Sequence, residues 1–281
     1  MTFHRAPQTY VRQANLKVKD LLRSLAYYQE IIGLRVLEQT ATHAALTADG
    51  RTALLTLEAP AQPKAGRTTG LYHFALLLPT RRDLARFIRH YASTGLHLGS
   101  SDHTVSEALY LSDPDGNGIE IYRDRDAASW TWDESQVAMA VDPLDFDDLM
   151  TADDGAPWSG LPSGTIMGHI HLHVAELGDT LTFYTQGLGF EVVARYGNQA
   201  AFISTGGYHH HIGLNTWNGV GAPQPPASSV GLRSYEIVYP GEAARTQAIE
   251  RVQALGAVVE PDGEAFATVD PSGNRIRLLA Q

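Results

Sequence analysis

Residues 16–38 read LKVKDLLRSLAYYQEIIGLRVLE, and residues 172–194 read LHVAELGDTLTFYTQGLGFEVVA. The two are one unit used twice. In each, an alternating strand passes an acidic residue and enters a stretch with apolar residues at helical spacing, closed by a glycine. The apolar positions are Leu21, Leu25 and Tyr28 in the first copy and Leu177, Leu181 and Tyr184 in the second. Short strands follow, over 35–38, 44–47 and 53–57 in the first copy and 191–194, 200–204 and 209–215 in the second. A different unit is also repeated. GLYHFALLLPTRRDLARFIRHYASTG (70–95) parallels GLRSYEIVYPGEAARTQAIERVQALG (231–256), and each leads to a turn and strand, LSDPDGNGIEIY (111–122) and TVDPSGNRIRLL (268–279). The chain is therefore four βαβββ modules, starting near residues 9, 70, 166 and 231. In chain order this gives a first pair over 1–125, a connection over 126–165 rich in Asp, Trp and Pro, and a second pair over 166–281. DPLDFDDLM (142–150) predicts a short helix within the connection.

Composition narrows the partners. The 281 residues, 43% hydrophobic and 19% charged, are those of a globular α+β protein with room for two cores, and no apolar run has the length of a membrane span. MTFHRAPQTYVRQ at the start has no apolar signal core, which makes a cytoplasmic protein the default. With no cysteine, any metal must be held by His, Asp, Glu or oxygen donors. The net charge of -10, without a Lys/Arg cluster, argues against nucleic acid or an anionic membrane and in favour of a small molecule.

The four-module pattern, with LKVKD, GLYHFALLLP, DPDGNGIEIY and GHIHLHV, resembles the vicinal oxygen chelate superfamily of glyoxalases, extradiol dioxygenases and bleomycin-resistance proteins, over nearly the whole chain. More narrowly, SEALYLSDPDGNGIEIY, GHIHLHV and GGYHHHIGLN are similar to bacterial catechol 2,3-dioxygenases. The resemblance implies modules paired into two half-open barrels, with metal ligands on the first and last strands of modules.

Strand alternation says which side chains face such a cleft. Ile170, Leu172 and Val174 form an apolar face, which leaves His169, His171 and His173 to the cleft. Phe74, Leu76 and Leu78 likewise leave His73, and Glu120 lies between Ile119 and Ile121. At the family's ligand positions the four modules carry Gln13, His73, His169 and Ser234 on first strands and Thr56, Glu120, Gly213 and Arg277 on last strands. Pairing in chain order completes no ligand set. Pairing module 2 with module 3 collects His73, His169 and Glu120, the two histidines and one carboxylate of non-haem Fe(II) oxygenases. That pairing is open to a single chain or to a homodimer, which exposed sheet edges allow. The same ligands accept Mn(II) in place of Fe(II). In the other cleft, Gln13 and Arg277 read as relics or as a hydrogen-bonded structural core.

The implied reaction is extradiol cleavage of catechol, or of a simple substituted catechol, a small aromatic diol, with O2. By resemblance, His210 is the acid/base histidine, Tyr110 a tyrosine that hydrogen-bonds a substrate oxygen, and His103 a second active-site histidine, the last with an alignment that slips by about two residues. Simple alternation puts His209 and His211 on one face and His210 on the other, so all three are carried. His171 and His173 fit either as residues that orient ligands or as solvated strand residues. Two other readings stand beside this one. The first is a glyoxalase-type isomerase using Glu120 or His210 as base with Ni(II) or Zn(II), against which Thr56 occupies the place of a second carboxylate. The second is a non-catalytic protein that binds a flat aromatic compound. DPDGNG lacks the further ligands of a calcium loop and reads as a turn.

Overall fold

The computed structural model describes residues 2–281. Module 1 comprises β1 (Tyr10–Lys17), α1 (Leu21–Ala26), β2 (Arg35–Gln39), β3 (His43–Thr47) and β4 (Ala53–Glu58). Module 2 comprises β5 (Gly70–Leu77), α2 (Arg81–Ala92), β6 (Gly99–Asp102), β7 (Ser106–Ser112) and β8 (Gly118–Asp124). The connection holds a small hairpin, β9 (Trp132–Asp133) and β10 (Gln136–Val137), and the expected short helix, α3 (Phe146–Met150). Module 3 comprises β11 (Ile166–His173), α4 (Gly178–Thr182), β12 (Glu191–Tyr196), β13 (Ala200–Ser204) and β14 (Ile212–Asn215). Module 4 comprises β15 (Gly231–Tyr239), α5 (Glu242–Ala254), β16 (Glu260–Asp262), β17 (Ala265–Val269) and β18 (Arg275–Ala280). No described helix is long and apolar enough to cross a membrane.

The strands form two eight-stranded sheets, ordered β16-β17-β18-β15-β1-β4-β3-β2 and β12-β13-β14-β11-β5-β8-β7-β6. At the centre of each, the first strands of two modules run antiparallel, β1 with β15 and β5 with β11, and each is flanked in parallel by the last strand of its own module. Modules 1 and 4 thus share one half-barrel and modules 2 and 3 the other. The crosswise pairing occurs within a single chain.

Helices follow the opposite rule and associate in chain order. Both α1 and α4 widen into a π turn, over Tyr27–Ile32 and Phe183–Gly187, and each turn carries a buried tyrosine. Tyr28 Oη donates to Asp113 (2.9 Å) in the DPDGNG turn of module 2, and Tyr184 Oη donates to Asp270 (3.0 Å) in the matching turn of module 4. These turns are structural ties: Asp113 also accepts from Asn117, and Asp270 from Asn274. A continuous apolar core runs between the sheets and the helices, including Leu16, Tyr28, Phe74, Leu76, Ile170, Leu172, Tyr184 and Ile237. The connection straps α2, with Asp148, Asp153 and Asp154 paired to Arg81, Arg89 and Arg86, and the Trp158 ring stacked on His90 at 4.4 Å.

Two bulges and one turn shape the cleft of the second half-barrel. In the β5/β11 ladder, pairing jumps from Met167↔Leu76 to His169↔Ala75, leaving Gly168 unpaired, and from His171↔His73 to Leu172↔Leu71, leaving Tyr72 unpaired. The strand expected over 209–215 is shorter: β14 begins at Ile212. Gly206 and Gly207 adopt φ of +65° and +73°, a region that glycine enters without steric cost, and they bend the chain so that the histidines lie in a turn.

Candidate functional site

His73 comes from the centre of β5, Glu120 from β8 and His169 from β11, just past the Gly168 bulge. All three are buried. Their nearest polar atoms form a triangle: His73 Nε2 to Glu120 Oε2 is 3.0 Å, His169 Nε2 to Glu120 Oε2 is 3.1 Å, and the two Nε2 atoms are 3.3 Å apart. Donors on neighbouring corners of an octahedron, at bond lengths of about 2.1–2.2 Å, are separated by √2 times that length, about 3.0–3.1 Å. The triangle therefore has the dimensions of one octahedral face. Burial pushes the His169 imidazolium down to about 4, against the pull of Glu120. Burial also works to raise the Glu120 carboxyl, but His169 and His73 outweigh it and hold the group well below the usual range. At neutral pH His169 is uncharged and Glu120 ionised, the forms in which each offers a lone pair. Among the described residues this is the group of three whose donor atoms converge.

The corresponding positions in the other half-barrel are spent on one another. Gln13 donates to Asn15 (2.7 Å), Asn15 donates to Ser234 (2.9 Å), and the Thr56 hydroxyl donates to Asn15 (2.6 Å). Arg277 pairs with buried Glu236, which also accepts from Arg12 (2.6 Å). This is a hydrogen-bonded structural core, in which a hydroxyl, that of Thr56, stands at the last-strand position of module 1 and the buried carboxylate of Glu236 is taken up by two arginines. In module 3 the last-strand position is Gly213, where a Cβ would fall within 2.7 Å of the His171 ring. The glycine makes room for that histidine.

The turn at 205–211 separates the histidine triplet into three roles. His211 is fully buried, with Nε2 donating to the Phe3 carbonyl (3.0 Å), and packs against Tyr208. His209, also fully buried, donates from Nε2 to Asp124 (2.8 Å). His210 alone keeps any exposure (9%), and its ring lies 4.1 Å from that of His169 and 5.0 Å from that of Phe202. Burial pushes its imidazolium well down, so the ring is neutral. A bend at Gly206 and Gly207, rather than strand alternation, thus brings the middle histidine to the cluster.

Tyr110 sits on β7 directly across from Glu120 on β8. His103 Nδ1 donates to the Ala140 carbonyl (2.6 Å), which leaves Nε2 as an acceptor, and the Tyr110 hydroxyl donates to it (2.6 Å). Burial, then the negative charge of Glu120, raises the Tyr110 phenol well above its ordinary range, so it keeps its proton. His73 and Tyr110 rings are 5.6 Å apart. The six residues singled out in the sequence are therefore neighbours: His73, Glu120 and His169 at the centre, His210 on one flank, and Tyr110 with His103 on the other.

The chain matches the model of the glyoxalase/bleomycin resistance protein/dioxygenase superfamily over residues 10–121 and 166–278. It belongs to that superfamily. It is 44% identical over 269 residues to the catechol-2,3-dioxygenase of Bacillus subtilis (strain 168), with 94% of each chain covered. Among solved structures, a putative dioxygenase from Bacillus subtilis subsp. subtilis str. 168 superposes with a TM-score of 0.68 at 14% identity, covering 96% of this chain and 84% of that one. Glyoxalase I from Zea mays superposes at 0.60 with 17% identity, covering 97% and 92%. At such identities the superpositions establish the fold, and a superfamily that hosts several chemistries leaves the reaction to the site.

Several residues around the site carry no local sequence signal. The N-terminal segment backs the histidine turn: His4 Nε2 donates to the Gly168 carbonyl (2.8 Å), and Phe3 packs with Trp130 and Tyr208. Tyr122 and Tyr208 share a hydrogen bond of 2.7 Å beneath His169. His171 and His173, which alternation did assign to the cleft, are both buried and not solvated: His173 bonds Asn215 (2.7 Å), while His171 lies opposite His73 with its Nε2 lacking a partner. Tyr72, freed by its bulge, and Trp217 cover His171 with rings at 5.0 and 5.4 Å.

Proposed function

We propose that the chain is an extradiol dioxygenase that opens catechol, or a simply substituted catechol, with O2 at a non-haem Fe(II). The observation that carries this reading is the triangle of His73 Nε2, His169 Nε2 and Glu120 Oε2, whose edges of 3.0, 3.1 and 3.3 Å fit one face of an octahedral ion. The relative named catechol-2,3-dioxygenase supports the substrate class. Two imidazoles and one carboxylate suit Fe(II) and accept Mn(II). Once bound, such an ion supplies open positions for the catechol oxygens and O2 and the redox character that ring cleavage needs.

The surrounding side chains handle protons and position. His210, neutral and beside His169, accepts the proton of a catechol hydroxyl. The Tyr110 hydroxyl donates its hydrogen bond to His103 and keeps its proton, so its oxygen lone pairs are open to accept from a hydroxyl of the substrate and orient the ring. Phe202, packed on His210, and Tyr72, packed on His73, offer flat apolar surfaces to an aromatic ring.

The test is oxygen uptake by anaerobically Fe(II)-loaded protein on addition of catechol or 4-methylcatechol, with absorbance of a yellow ring-fission product. Uptake with product is expected, abolished together with metal retention in His73→Ala, His169→Ala and Glu120→Gln. Retained metal without uptake refutes the reaction. Metal loss in Gln13→Ala or Ser234→Ala, with the three named variants intact, refutes the ligand set.

A further inference from the structure

The 2.8 Å contact between His209 Nδ1 and His210 Nδ1 joins two ring nitrogens, and a hydrogen bond there requires one proton between them. Which ring provides it is decided one step away. Asp124, the last residue of β8, accepts from His209 Nε2 at 2.8 Å and from the Tyr208 hydroxyl at 3.2 Å, and Tyr208 is itself held by Tyr122. A carboxylate has no proton to give, so in a neutral His209 the single ring proton lies on Nε2 and Nδ1 presents a lone pair. His210 must then donate from Nδ1, which leaves Nε2 of His210 bare. The His209 ring cannot turn out of this arrangement: it is fully buried, with Tyr208 at 4.1 Å and Trp130 at 5.2 Å.

We infer that Asp124 and His209 are positioning residues that lock His210 in the tautomer with Nδ1 protonated and Nε2 free to accept a proton. This rests on the reading of the site as a catechol dioxygenase. When a catechol hydroxyl is deprotonated, its O–H bond breaks and an N–H bond forms at His210 Nε2, while Nδ1 keeps its proton toward His209. The opposite tautomer would place a proton where the acceptor lone pair is needed, the failure known to be severe when a histidine base loses its orienting carboxylate. The connection and the triplet turn thereby acquire a shared purpose, since Trp130 from the one and Tyr208 from the other wall the histidine that sets the tautomer.

The test uses the full chain, loaded with diamagnetic Zn(II) for 15N NMR of labelled histidines and with Fe(II) for kinetics. His210 is expected to show a protonated Nδ1 and a bare Nε2 in the unmutated protein, and Asp124→Asn to mix the tautomers and lower kcat about 10²-fold, with KM and bound metal nearly unchanged. His209→Gln, whose amide oxygen can still accept from His210 Nδ1, should keep most activity; His209→Phe, flat but without an acceptor, should not. A protonated Nε2 on His210 in the unmutated protein overturns the inference, as does an unaltered tautomer and kcat in Asp124→Asn. An unmutated protein inactive with catechol but showing the expected tautomer would refute the proposed reaction and leave the lock standing.

Discussion

Gly168 is a position near the site at which a single methyl group should do severe damage. An ideal Cβ there would lie 1.9 Å from Tyr122 Oη, 2.6 Å from its Cζ and 2.7 Å from its Cε1, where real Cβ contacts essentially never fall below 3.0 Å. Tyr122 would have to retreat by at least about 1.1 Å, the difference between those limits. It has nowhere to go, being fully buried and hydrogen-bonded to Tyr208 at 2.7 Å. Overpacking of this kind costs about 1–3 kcal/mol, and breaking a buried hydroxyl pair costs about 1–3 kcal/mol more. Gly168→Ala should therefore lose about 2–6 kcal/mol in urea unfolding of metal-free protein and also weaken metal retention, because the next residue is His169. Adding Tyr122→Phe removes only the closest atom and leaves the 2.6 Å contact, so it should recover part of the loss at most. A Gly168→Ala protein within about 1 kcal/mol of the parent would refute the packing described beneath His169.

Gly213→Ala should keep the fold with a loss of about 1–3 kcal/mol but push His171 toward His73; titration with metal would show weaker binding, and unchanged affinity would mean that His171 can yield. Glu107 is buried among Arg81, Arg123 and Arg125. Burial alone would raise its carboxyl, yet the guanidinium groups outweigh burial and hold it below the ordinary value. Its folded pKa being depressed, it contributes stability above the unfolded value and loses it as pH falls through the folded one. Glu107→Gln should then be less stable at pH 7 and show a shallower loss of stability below about pH 4.5, measured by urea unfolding at several pH values; an unchanged acid limb would refute the ion cluster's role. Tyr28→Phe and Tyr184→Phe should each cost about 1–3 kcal/mol, and the double variant should cost the sum, because the two ties share no partner.

The fold was legible because the modules are long enough to repeat both a strand period and a helix period, and two such units at matched spacing leave little freedom for anything else. The crosswise pairing was legible from chemistry rather than propensity: the histidines and the glutamate made one set only when module 2 met module 3. Alternation placed His169 and His171 correctly because the Gly168 bulge precedes them both, so the parity after it is undisturbed. The same rule failed at the triplet, where a strand was expected from residue 209. The paired glycines at 206 and 207 were the available signal, and their positive φ values turn the chain before the ladder begins. Asp124 and His4 could not be found this way, since their partners His209 and Gly168 lie 85 and 164 residues away with no pattern joining them. His103 was placed only by a slipping alignment, and the carbonyl that orients it comes from Ala140 in the connection, a segment without periodicity.

The crosswise sheets also bear on how the chain reaches its native state. β1 pairs with β15, with Tyr10 opposite Val238, so the half-barrel that opens the sequence cannot close until nearly all of the chain is available. β5 finds its neighbour β11 only after the whole connection has emerged. The helix ties join adjacent modules across a separation like that of β5 and β11: Tyr28 reaches Asp113 and Tyr184 reaches Asp270 across 85 and 86 residues. Pairing between strands so far apart in sequence is slow, because loop closure has to precede the contacts that reward it. Until the second half is made, β1 and β5, which lie in different sheets, both lack their antiparallel neighbours β15 and β11. The second half supplies both. The donor triangle of His73, Glu120 and His169 likewise needs β11 beside β5 and β8, so the group that converges exists only where the two modules have met.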